Sequence, residues 1–87
     1  MVRKVTFAPD AITQIQKFKT GQQKLAFRIF EILEDIQKTP FEGLGKPEPL
    51  KGNLKGFWSR RIDKEHRLVY QVKADEIEVI SCFGHYS

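Results

Sequence analysis

The last third of this chain constrains its fold most, because three consecutive strand-like runs are separated there by three-residue turns. Phe57, Ser59 and Arg61 alternate with Trp58, Arg60 and Ile62, and Asp63-Lys64-Glu65 then turns the chain. Residues 66–72 continue as a second run, Lys73-Ala74-Asp75 turns again, and residues 76–82 make the third. A period of two marks a strand with one buried face, and turns this short permit only hairpins. The three runs therefore predict an antiparallel meander.

Upstream the period changes. Residues 2–7 alternate as a short first strand. Pro9 and Asp10 then suit a first helical turn, the proline because no amide partner is lost there, the aspartate because the helix end is positive. Ile12, Ile15 and Phe18 form a three-spaced helical stripe that Thr20-Gly21 interrupts. A longer helix over residues 22–38 puts Leu25, Ala26, Ile29, Ile32, Leu33 and Ile36 on one side, and Pro40 stops it. Phe27 and Phe30 widen that side beyond what a helical pair can cover, so they are expected to meet the sheet or a second subunit. The order β-α-α-β-β-β predicts an α+β domain of two layers. Its two N-terminal helices pack on one face of a mainly antiparallel four-stranded sheet, in a single domain over residues 1–87. The other sheet face is left to solvent or to function.

Composition removes several function classes. One cysteine cannot make an internal disulfide, and with only two histidines beside it a dedicated zinc site is not expected; neither metal nor cofactor is called for. No apolar run has the length of a membrane span or a signal peptide, so the cytoplasm is the expected compartment. The net charge is +4, and positions 51–67 alone hold six basic residues against two acidic ones, which equals the whole excess. Such a field suits nucleic acid, and an acidic protein partner as well.

Residues 39–53 hold three prolines and three glycines, a long irregular segment for so small a domain. Within it, Pro47-Glu48-Pro49 clamps a carboxylate between two stiff residues. Gly43-Leu44-Gly45-Lys46 neither follows a strand nor opens a helix, which sets aside a phosphate-loop reading. The polar residues gathered in the loop, the strands and the tail are Glu48, Lys51, Arg60, Arg61, Arg67, His85 and Tyr86. Metal-free RNA cleavage needs little more: a base for the 2′-hydroxyl, an acid for the leaving 5′-oxygen, and cations for the charge on the phosphorane. Blander roles are open for each residue. His66, Trp58 and Cys82 read as structural, and either Arg61 or Arg67 could simply pair with Glu65.

The run from Pro40 through Gly43, Gly45 and Pro47-Glu48-Pro49 to Lys51, then Trp58-Ser59-Arg60-Arg61-Ile62, Glu65-His66-Arg67-Leu68-Val69-Tyr70 and the closing His85-Tyr86, resembles the YoeB/Txe toxins of the RelE/ParE superfamily. These segments span about half the chain in the family's order and spacing. The resemblance implies a RelE-like, microbial-ribonuclease-like fold and a ribosome-dependent endoribonuclease that cuts mRNA in the ribosomal A site. It implies Glu48 as general base, His85 as general acid, Arg67 as transition-state stabiliser and Tyr86 as a substrate-holding residue. Lys51, Arg61 and Arg60 would contact phosphate or ribosomal RNA. The implied partners are mRNA, the 70S ribosome, a YefM/Axe-like antitoxin and a second copy of the chain. The alternative is an inactive module that still binds antitoxin, ribosome or operator DNA. Ile12, Ile15 and Phe18 stand where family members often carry Trp and Tyr. Gly84 replaces a larger residue, and Ser87 follows the tyrosine that usually ends the chain.

Overall fold

Alternation and helical periodicity translate into structure nearly element by element in the computed structural model, which describes residues 3–17 and 23–82. Strand β1 (Lys4–Phe7) leads into α1 (Pro9–Gln16) and α2 (Gln23–Lys38); β2 (Glu48–Pro49) and a 3-10 turn (Gly52–Leu54) precede β3 (Trp58–Arg61), β4 (Arg67–Val72) and β5 (Glu76–Ser81). The sheet has five strands in the order β1-β5-β4-β3-β2, not the four expected. The added strand is β2, whose two residues are too short to show any alternation. Proline tolerates that place because β2 is an edge strand, where an absent amide N–H breaks no ladder. The meander is antiparallel as predicted, whereas β1 runs parallel to β5, with Lys4 opposite Glu76 and Phe7 opposite Val79.

The core lies between the helices and one sheet face. Ile29, Ile32, Leu33 and Ile36 of α2 meet Leu68, Tyr70, Ile77 and Val79 of the sheet, with Val5, Phe7 and Trp58 packed around them. Burial at four-residue spacing on α2 is the pattern of a helix lying on a sheet. On α1 the buried stripe is shifted from the expected one. Ala11 is fully buried and Ile15 packs against the core, while Ile12 is 49% exposed. The small alanine lets α1 approach β5 closely, and Gln14 Oε1 there accepts hydrogen bonds from the Ser81 hydroxyl (3.1 Å) and the Cys82 amide (2.8 Å). Phe18 lies outside the described residues.

Phe27 and Phe30 do not meet the sheet; they are 68% and 63% exposed on α2. Cys82 is buried, and desolvation pushes its thiol up to about 11. Trp58 packs at the core's edge with its ring 4.9 Å from that of Phe41. No described helix is long and apolar enough to cross a membrane.

Candidate active site

Strand pairing brings four polar side chains to the sheet face away from the helices. Glu48 of β2 lies opposite Ser59 of β3, Ser59 lies opposite Val69 of β4, and Arg61 lies opposite Arg67. Opposed residues share a face, as do residues two apart along a strand, so Glu48, Ser59, Arg61 and Arg67 are on one side. Their neighbours Trp58, Arg60, Leu68 and Tyr70 turn the other way. No bulge interrupts β3–β4, so the two arginines do converge across the Asp63-Lys64-Glu65 turn.

The contacts follow this register. Arg67 Nη1 lies 3.8 Å from Glu48 Oε1 and donates to the Ser59 hydroxyl at 3.3 Å. The Glu48 side chain is 60% exposed, whereas that of Arg67 is only 19% exposed. A carboxylate open to a ligand thus sits beside a cation held by the sheet. Arg61, Asp63, Lys64 and Arg67 line one depression, and Glu48, Pro49, Leu50 and Lys51 line a second. Lys51 is exposed at the start of the 3-10 turn. Among the described residues, no three of His, Cys, Asp and Glu gather as a metal would require.

Arg60 corrects the sequence reading. It was expected at phosphate, yet it is fully buried, and all five of its N–H groups have acceptors within the protein. Nε donates to the Tyr70 hydroxyl (3.2 Å), Nη1 to Asp35 (2.5 Å) and the Leu44 carbonyl (3.1 Å), and Nη2 to the carbonyls of Thr39 (2.6 Å) and Glu42 (2.8 Å). Tyr70 in turn donates to the Pro40 carbonyl at 2.7 Å. A guanidinium so placed is paired and hydrogen-bonded as a buried charge must be, and it has no donor left for a ligand. The bond from Arg60 holds the Asp35 carboxyl below its ordinary value against the opposing effect of burial.

This hub explains the glycines of the irregular loop. The loop wraps the guanidinium so closely that a Cβ at Gly43 would sit 2.0 Å from Asp35 Oδ2. At Gly45 it would sit 2.7 Å from the Arg61 carbonyl, and both glycines have positive φ. The Gly45 carbonyl then accepts the Arg61 amide at 2.7 Å, which leads the chain into β2 and sets Glu48 at the sheet edge. Sequence reading missed Asp35 and Ser59. Ser59 could have been found from its two-residue spacing to Arg61, while nothing local marks Asp35 as the partner of an arginine distant in sequence. His66 is buried at the β3–β4 turn, where its amide and that of Glu65 donate to Asp63 Oδ1. His85 and Tyr86, with Gly84 and Ser87, lie outside the described residues.

Comparison with known proteins agrees over nearly the whole chain. The model of the YoeB-like toxin of bacterial type II toxin–antitoxin systems matches residues 7–86. Toxin RelK of Mycobacterium tuberculosis is 47% identical over 85 residues, covering 98% of this chain and 100% of that one. The YoeB dimer from Staphylococcus aureus superposes with a TM-score of 0.90 at 42% identity, over 99% of this chain and 100% of that one. The YoeB–YefM complex from the same organism gives 0.87 at 42% identity over the same shares. On this evidence the chain belongs to the YoeB-like toxins of bacterial type II toxin–antitoxin systems.

Proposed function

We propose that this toxin is a metal-independent endoribonuclease that cuts mRNA in the ribosomal A site and so stops translation. The observation that carries the reading is the Glu48–Arg67 pair, 3.8 Å apart on the sheet face away from the helices with Arg61 directly across from Arg67. Glu48 takes the proton of a ribose 2′-hydroxyl, the freed O2′ attacks the adjacent phosphorus, and the P–O5′ bond breaks. The 5′-oxygen leaves with a proton from His85, and the other product ends in a 2′,3′-cyclic phosphate. Arg67 stabilises the charge gathering on the non-bridging oxygens; held by Ser59 and the sheet, it needs little reorganisation as that charge develops. Arg61 and Lys51 hold flanking phosphates, and Tyr86 holds the substrate. The roles of His85 and Tyr86 rest on the family resemblance alone.

The chain's partners follow the same reading: the ribosome and its message, a YefM-like antitoxin, and a second copy of the chain, all in the cytoplasm. The S. aureus relatives form such a dimer and such a complex. The deciding experiment is cleavage of a defined mRNA on bacterial ribosomes, wild type beside Glu48→Gln, with free RNA as control. Cutting confined to the A site and lost in Glu48→Gln supports the proposal. No cutting by folded wild-type protein overturns it in favour of an inactive binding module.

A further inference from the structure

A second basic groove adjoins the site. It is lined by Arg28 of α2, Lys46 of the irregular loop, Arg61 at the end of β3 and Lys64 in the β3–β4 turn, with Asp63 as its one acid. Asp63 Oδ1 already accepts from the amides of Glu65 and His66. Among the described residues Lys46, Arg61 and Lys64 enter no ion pair, and Arg28 only reaches Glu31 at 3.9 Å along its own helix. Four cations thus face one acid whose carboxylate is already engaged. Arg61, Asp63 and Lys64 also line the depression beside Arg67, so the two grooves share three of their walls' residues.

The backbone at Lys46 points to a ligand independently. Its φ is +52°, and it is the only non-glycine among the described residues with a positive φ. Glycine holds that conformation without strain, whereas a lysine does not, so folding gives no reason for a long cationic side chain at this position.

We infer that Arg28, Lys46, Arg61 and Lys64 form a binding groove for the ribose-phosphate backbone of the message strand beyond the phosphate that is cut. The inference rests on the RNA-cleaving reading and extends it. A strand whose scissile phosphate lies at Arg67 passes Arg61 and Lys64 before it reaches Lys46 and Arg28. Cations in sequence along such a path match a chain of evenly spaced monoanions.

The test is binding of a fluorescent single-stranded 2′-O-methyl oligoribonucleotide, which cannot be cleaved, measured by anisotropy at several salt concentrations. Wild type is compared with Lys46→Gly and with Arg28→Ala/Lys64→Ala, and message-free small ribosomal subunits serve as the second probe. Each lost cation should weaken oligonucleotide binding and reduce the slope of log K against log salt by about 0.7. Lys46→Gly should do so without lowering the thermal midpoint, because glycine relieves the left-handed backbone. Unchanged affinity and slope in both variants overturn the groove. Loss on the ribosomal subunit but not on the oligonucleotide overturns its assignment to the message. Because no cleavage is needed, failure here leaves the Glu48–Arg67 chemistry standing, and failure of ribosomal cutting is read separately.

Discussion

Asp35 and Arg60, on a helix and a strand that both border the irregular loop, meet at 2.5 Å with the arginine fully excluded from solvent. The pair ties α2, the loop and β3 into one unit, and the strand that presents Glu48 emerges from it. Removing the carboxylate while leaving the buried guanidinium is expected to cost roughly 3 kcal/mol, within the range for a broken buried ion pair. Urea denaturation of Asp35→Ala beside Lys51→Ala checks this. The exposed Lys51 should shift stability by no more than about 0.5 kcal/mol.

The same pair sets an acid response. The hydrogen bond from Arg60 lowers the folded Asp35 below its ordinary value of 3.8, so its contribution is complete above that value. The contribution is lost as pH falls through the lower folded value, because the unfolded chain takes up the proton first. A urea midpoint followed from pH 5 downward (about two units) should fall more steeply in wild type than in Asp35→Asn. Parallel curves would remove Asp35 from the acid response.

Gly43→Ala tests how tightly the loop encloses the guanidinium. The added methyl would meet Asp35 Oδ2 at 2.0 Å from a backbone at φ +119°, so both space and conformation oppose it. A loss of at least about 2 kcal/mol is expected from overpacking and left-handed strain together. Ribosomal cutting should fall with it, since the displaced loop leads directly to Glu48.

Glu48 and Arg67 should separate activity from stability. Glu48→Gln is expected to lower single-turnover cutting by about a hundredfold or more. Its stability should change by less than about 1 kcal/mol, because the Glu48–Arg67 pair is solvent-exposed on the carboxylate side. Arg67→Lys keeps the charge but loses the fork, and a fall of roughly tenfold to a hundredfold would mark bidentate holding of phosphate. Equal losses of cutting and thermal stability would instead make either residue structural.

The meander and both helices were legible because each rests on a period the side chains repeat, whereas the convergence of Arg61 with Arg67 depended on a bulge-free β3–β4 turn that only the structure supplies. Three further features were not legible. β2 is two residues long and carries proline, so no alternation reveals it. The parallel partner of β1 is set by tertiary packing, and the choice among sheet positions leaves no local trace. Arg60 and Arg61 are adjacent and chemically identical, yet alternation sends one to the core and the other to solvent. Reading both as surface cations overlooked that the face of Trp58 and Tyr70 is also the face of Arg60. The two loop glycines were the available clue, since a close backbone wrap needs something to wrap.

The strand order gives the toxin a schedule. β5 sits between β1 and β4, so the first strand made, which ends at Phe7, has nothing to pair with until β5 begins at Glu76. Helices and the β3–β4 hairpin can form locally during synthesis, but the sheet is complete only when β5 arrives to join β1 to β4. A growing chain therefore remains an open-edged precursor until translation has carried it past β5, and the assembled toxin belongs to the ribosome's product rather than to its work in progress.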